Sequence, residues 1–227
     1  MNTSNNNKLT EEVLFYMVRK PITENEQTPL ILLMHGVGSN EEDLFSLANY
    51  LPDSALIVSA RAPYVMGPGS YAWFQFDFEG TQRIINSEQA EASRKLIVQF
   101  IGQLKERFAF DEKQVYLCGF SQGGIMAYSV GLTHPEIVKG IAVMSGRLLD
   151  EVKPLIVANE ILAGLKIFIS HGTNDSVLDV HYARDSYAYL KTLNIAPFYK
   201  EYPEVHTINN EMLFDLVKWL NLPEEQN

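Results

Sequence analysis

The chain has 227 residues, 46% hydrophobic and 20% charged, which fits one large domain with a sizeable core and excludes wholesale disorder. Its 18 Lys+Arg against 28 Asp+Glu leave a formal charge of −10, which repels a phosphate backbone, and it lacks the basic clusters that bind anionic membranes. A single cysteine, Cys118, excludes an internal disulfide framework and a cysteine-based zinc site.

The first nine residues are polar and predicted to fray. They carry no signal-peptide h-region, and no stretch approaches the roughly 18 apolar residues of a membrane span, so a cytoplasmic protein is expected. Glu12 to Arg19 reads as a strand and Thr23 to Thr28 as a polar turn. Leu30 to Met34 is a short continuous apolar run, the mark of a strand buried on both faces. Asn40 is placed to cap a helix carrying Leu44, Leu47, Ala48 and Leu51, with Glu41, Glu42 and Asp43 at its positive end. Ala55 to Ala60 is a second buried strand, and Pro63 to Gly80 reads as irregular.

From Ser87 to Phe108 the apolar positions fall on one helical face. Strands follow at Val115–Phe120, Gly140–Met144, Leu165–Ser170 and Phe198–Tyr202. Helices are predicted over Gly123–Leu132, Val180–Leu193 and Asn210–Leu220, and Leu148 to Gly164 is mixed. Seven strands with helices in most gaps predict an α/β protein: a mostly parallel sheet with helices on both faces. The first two strands lie too close for a helical crossover, so they are expected to pair as an antiparallel hairpin. Nothing divides the chain, and residues 1–227 read as a single domain.

The segment Gly119-Phe120-Ser121-Gln122-Gly123 matches G-x-S-x-G between an apolar strand and a small-residue helix. That pattern puts a serine on a sharp strand-to-helix turn, where flanking glycines avoid a collision with neighbouring elements. Ser121 is the nucleophile candidate; Cys118, within the strand, reads as a small buried hydrophobe. In such folds the acid and then the histidine follow the serine in chain order. Of five histidines only His181 and His206 come late enough. His181 opens a helix, whereas His206 follows the last strand, where ligands bind in open α/β sheets, so His206 is the expected base. The acid should follow strand Leu165–Ser170; Asp175 is favoured over Asp179, which suits a helix N-terminus, and over Asp150, after the preceding strand.

The oxyanion that forms during acyl transfer needs two preset N–H donors. Gln122, next after the nucleophile, supplies one from its backbone, and Val37 in the loop His35-Gly36-Val37-Gly38-Ser39 is expected to supply the other. Six aromatics between Tyr64 and Phe78, Tyr71 among them, read either as an apolar wall for substrate or as the packing of a compact loop. Arg147 reads either as a surface arginine or as a partner for a substrate carboxylate.

The segments LLMHGVGSNEEDL, APY…YAWF, GFSQGG, HGTNDSVL and YPEVHTI, in that order, resemble the phospholipase/carboxylesterase branch of the α/β-hydrolases, which includes acyl-protein thioesterases and bacterial carboxylesterases. The resemblance implies a Ser-His-Asp esterase built on Ser121, Asp175 and His206, with Val37 and Gln122 as the oxyanion hole and Trp73 and Phe74 beside the acyl pocket. Ser39-Asn40 stands where thioesterase members usually carry an Asp, which points to the small-ester subgroup. The expectation is therefore an α/β-hydrolase fold with an antiparallel N-terminal strand and no large lid. It would cleave short-chain or aryl esters through an acyl-enzyme, without metal or cofactor, as a monomer or homodimer. Thioesterase or lysophospholipase activity on the same triad is the alternative, a serine peptidase fits less well, and a non-catalytic binding protein is the rival from another class.

Overall fold

The computed structural model describes residues 13–22, 27–79 and 82–221. In chain order the elements are β1 (Tyr16–Arg19), β2 (Leu30–Met34), α1 (Glu41–Phe45), β3 (Leu56–Ala60), β4 (Tyr64–Gly67), β5 (Ser70–Ala72), β6 (Phe76–Glu79), β7 (Gln82–Ile85) and α2 (Ser87–Arg107). There follow β8 (Val115–Phe120), α3 (Gln122–Gly131), β9 (Gly140–Met144), α4 (Asn159–Leu162), β10 (Lys166–Gly172), α5 (His181–Thr192), β11 (Phe198–Tyr202) and α6 (Asn210–Leu220).

Seven strands form one sheet in the order β1-β3-β2-β8-β9-β10-β11. All neighbours are parallel except β1, which runs antiparallel to β3 with Tyr16 opposite Ala60. The predicted hairpin between the first two strands does not form. Both edges of β2 are taken by parallel neighbours, β3 and β8, so β1 adds to the free edge of β3. Strands lie about 4.8 Å apart, and the segment from Lys20 to Pro29 is long enough to step over one of them.

Alternation of side chains sorts the core into two layers. Leu30, Leu32 and Met34 of β2 pack with Ile97 and Phe100 of α2, Met126 and Tyr128 of α3, and Ala183 and Leu190 of α5. Ile31 and Leu33 face the other way, onto Leu44 of α1 and Leu213, Leu216 and Trp219 of α6. Every residue of β2, β3 and β9 is buried, as a parallel sheet covered on both faces requires.

Asn40 caps α1, its side chain accepting from the Glu42 amide at 2.9 Å, but the helix is shorter than predicted. It stops at Phe45, and Ala48–Tyr50 continue as a 3-10 turn. The stretch predicted to be irregular holds two antiparallel hairpins, β4–β5 and β6–β7. Pro68-Gly69 makes the first turn, with Gly69 at φ 68, the left-handed value that a type II turn requires. Most of the predicted turn from Thr23 to Thr28, the predicted fraying segment and the start of the Glu12–Arg19 strand lie outside the described residues.

Candidate active site

The site lies at the C-terminal edge of the parallel strands. β8 ends at Phe120 and α3 starts at Gln122, so the reversal rests on Ser121 alone, at φ 53 and ψ −115. That left-handed φ is strained for a residue with a side chain and persists only where the surroundings impose it. Two glycines allow it. A Cβ on Gly119 would collide with the Gly123 carbonyl, and one on Gly123 with the Met34 carbonyl of β2. Ser121 occupies the N-cap position of α3, yet its hydroxyl caps nothing and instead lines a cleft of about 620 Å3.

His206 lines the same cleft, on the segment after β11. Its Nδ1–H donates to Asp175 Oδ2 at 2.6 Å, and its ring leans on Phe120 at 4.8 Å. Asp175 lies just past β10 with a fully buried carboxylate. Its second oxygen, Oδ1, accepts from the amides of Val177 (2.9 Å) and Leu178 (2.8 Å), which fixes the group's orientation. Asp179 instead caps the start of α5, accepting from the His181 amide, and Asp150 pairs with Lys153 at 2.6 Å. His181 is occupied with Asp179.

One neighbour of the acid escaped the sequence reading. His171, on β10, is wholly buried, and its Nε2–H donates to the Leu178 carbonyl at 2.7 Å. The same nitrogen stands 3.3 Å from Asp175 Oδ2. His171 therefore ties down the loop whose amides hold Asp175. Burial lowers its pKa below the ordinary imidazole value of 6.5, so the ring is kept neutral. The HGTND string put it four residues before Asp175, but position alone could not tell a second buried imidazole from a strand-end histidine.

Loop 36–39 approaches from β2. A Cβ on Gly36 would lie 3.4 Å from Ser121 Cβ, so this backbone passes directly over the serine. The Val37 N–H makes no backbone hydrogen bond among the described residues, and the Gln122 N–H opens α3, where first-turn amides have no partner within the helix. The loop is clamped by β5: Gly38 N–H donates to the Tyr71 carbonyl (2.8 Å) and Tyr71 N–H to the Ser39 carbonyl (2.9 Å). His35 braces it below, with Nε2 accepting from the Ala62 amide and Nδ1–H donating to the Gly36 carbonyl.

The expected pocket aromatics divide. Phe74 lines the cleft, but Trp73 and Tyr71 do not. Trp73 is fully buried behind it: the indole N–H donates to the His35 carbonyl at 3.0 Å, and the backbone carbonyl accepts from the Ser93 hydroxyl. Tyr71 sits under the Arg61 guanidinium at 4.5 Å. The walls come instead from Phe76, Phe78 and Ile85 on the second hairpin and from Val177, Leu178 and Tyr182 across the cleft. The Gln122 side chain has a second duty, accepting from Trp73 N–H (2.7 Å) and donating to the Phe74 carbonyl (2.6 Å). Among the described residues no cluster of His, Cys, Asp or Glu is placed to hold a metal ion, and no helix is long and apolar enough to cross a membrane.

Known proteins resemble this chain in sequence and in fold. A family model described as Phospholipase/Carboxylesterase matches residues 18–223. An acyl-protein thioesterase 1 from Kluyveromyces lactis is 26% identical over 208 residues, spanning 85% of this chain and 90% of its own. The solved structure of esterase PE8 is 26% identical with a TM-score of 0.77, covering 91% of this chain and 97% of its own. A Bacillus cereus carboxylesterase shares the fold, with a TM-score of 0.78 at 24% identity over 91% of this chain and 93% of its own. The match runs from the first strand of the sheet past the last helix, and the chain belongs to the phospholipase/carboxylesterase family of α/β-hydrolases.

Proposed function

We propose that this ester hydrolase works through Ser121, His206 and Asp175 by way of an acyl-enzyme. The observation that carries the reading is the 2.6 Å bond from His206 Nδ1–H to a buried Asp175 carboxylate, at a cleft shared with a serine held at positive φ. A serine hydroxyl is a weak nucleophile unless a base takes its proton during attack. His206 Nε2 is that base. Asp175 holds Nδ1 protonated, leaving Nε2 free to accept, and stabilises the imidazolium that forms. The tetrahedral oxyanion is received by the N–H groups of Val37 and Gln122. As the intermediate collapses, His206 returns its proton to the departing alcohol. Water then attacks the acyl-serine by the same path and releases the acid.

The cleft favours short-chain or aryl esters, because it is open and its apolar walls stand on one small hairpin, on loop residues and on the start of α5 rather than under a cap. Thioester hydrolysis uses the same groups, and the likeness to an acyl-protein thioesterase keeps it as the second reading. A fluorophosphonate probe and a series of 4-nitrophenyl esters test the chemistry. The wild type should be labelled and active, and Ser121→Ala neither. An unlabelled wild type, or a labelled Ser121→Ala, overturns the assignment. Rates on a matched thioester and oxygen ester separate the two substrate classes.

A further inference from the structure

The cleft is mostly apolar, yet it holds a guanidinium that makes no ion pair among the described residues. Arg147 lines it together with Ser121 and His206, and among the described residues no carboxylate stands within ion-pair distance. Asp150, the acid nearest in sequence, is bonded to Lys153 and acts on Arg147 only through space. Asp43 is the carboxylate that lines the cleft, and it accepts from the Ser39 hydroxyl at 2.8 Å. It follows β2, whereas Arg147 follows β9, and these strands flank β8 on opposite sides. The two charges therefore sit on opposite sides of Ser121.

Arg147 is also held in place. Ser145, at φ 50, turns the chain sharply after β9, and a Cβ on Gly146 would press on Val143 and the Gly124 backbone. The next amide, Leu148 N–H, donates to the Ser186 hydroxyl on α5 at 3.0 Å. The guanidinium then lies over the Tyr182 ring of the same helix, 5.1 Å from its centroid. A planar fork stacked on an aromatic face keeps its N–H edges free for a planar anion. A chain of net charge −10 with eighteen basic residues has ample acid to pair this arginine, and leaves it unpaired beside the nucleophile.

We infer that Arg147 selects esters that carry a carboxylate a few atoms from the scissile bond. This rests on the serine-esterase reading above and narrows it: the net negative charge of the chain does not set the preference of the cleft. Charge-assisted and bidentate bonds to carboxylate are the strong class, and such a partner offsets the cost of an unpaired cation beside an apolar wall.

The test compares kcat/KM for mono-4-nitrophenyl adipate and 4-nitrophenyl hexanoate, and for 4-carboxyphenyl hexanoate and phenyl hexanoate, so that the carboxylate lies on the acyl side in one pair and on the alcohol side in the other. The enzymes are the wild type, Arg147→Lys and Arg147→Met, each with its melting temperature. In at least one pair the anionic-to-neutral ratio should fall by about 10- to 100-fold in Arg147→Met, with Arg147→Lys in between. Taking the ratio removes effects of packing on Tyr182 that touch both esters alike. If the variants change both members of each pair by the same factor, Arg147 is only part of the wall and the inference is overturned while the esterase reading stands. A wild type that cleaves none of the four esters overturns both.

Discussion

Two buried carboxylates follow strands of the sheet, Asp175 after β10 and Glu41 after β2, and they are held in opposite ways. Asp175, beyond β10, is bonded to two backbone amides and to the histidine of the cleft. Glu41, at the start of α1, receives Arg61 Nε at 2.6 Å and Nη2 at 2.5 Å, while its backbone carbonyl accepts from the Ser59 hydroxyl. The Arg61 guanidinium is itself covered by the Phe15 and Tyr71 rings. Glu41 thus faces a permanent cation, which holds its carboxyl below the usual carboxylate range against the opposing effect of burial. It has no proton to manage, and it fastens α1 and the loop before it to the end of β3. Asp175 faces an imidazole whose charge, in the proposed reaction, comes and goes. The first kind of partner suits a scaffold and the second suits a reaction.

The sharpest way to break that contrast is Asp175→Asn. Its amide oxygen can still accept from Val177 and Leu178, so the fold should survive with a melting temperature within a few degrees of wild type. The amide N–H2 would face His206 Nδ1 and favour the wrong tautomer. The expected loss in kcat is about 10^3–10^4-fold. A loss under tenfold in steady-state hydrolysis would sink the role given to Asp175.

Arg61→Met is the converse experiment. It strands Glu41 as a buried charge, so stability should fall by about 2–4 kcal/mol, less than for a fully enclosed pair because Arg61 is partly exposed. Urea unfolding reads this directly. The double variant Arg61→Met/Glu41→Met should recover most of the loss, since removing both partners leaves no charge to desolvate. If the single variant is as stable as wild type, the pair is not the fastening described here.

The same contrast explains which parts of the molecule could be read from residues alone. The elbow is set by steric necessity: Gly119 and Gly123 each leave no room for a Cβ, and the serine between them announces itself. β2, β8 and β9 match their predicted bounds because a buried parallel strand needs a nearly unbroken apolar run, and α6 matches because it has one apolar face and an Asn209 cap; β11, an edge strand of aromatic and charged residues, matches as well. The cleft walls had no such signature. β4 to β7 are three or four residues each, too short to establish a period, and it is β6 and β7 that carry wall residues. The Pro68-Gly69 turn was the available sign of a hairpin. Trp73 was misplaced because an indole beside a pocket and an indole behind one look alike in sequence; its three hydrogen-bond partners, His35, Gln122 and Ser93, lie 20 to 49 residues away. The partner of β1 depended on both edges of β2 being taken, a property of the whole sheet.

The smallest effect concerns two buried histidines to which the proposed reaction gives no proton transfer. His35 and His171 are both buried and both held neutral, with desolvation as the largest cause, opposed in each case by hydrogen bonds to carbonyls and by nearby acids. Asp175, His206 and Asp179 act on His171, and Asp43, Glu41 and Arg61 on His35. Their folded pKa values lie below the ordinary 6.5, so just under that pH the unfolded chain binds protons that the folded chain does not. Stability is therefore complete above pH 6.5 and declines as pH falls beneath it, by up to about 1.4 kcal/mol per pH unit for each histidine. The depressed carboxylates Glu41 and Asp215 act in a separate window, losing their contribution as pH falls below the usual carboxylate range. Melting temperatures taken from pH 8 down to pH 5 should show the first decline alone. His171→Gln keeps an N–H for the Leu178 carbonyl but cannot be protonated, so it should flatten part of that slope while Asp175 stays in place. A slope unchanged in His171→Gln would mean that His171 titrates alike in the folded and unfolded chain, and that its role beside Asp175 is not that of an imidazole kept neutral.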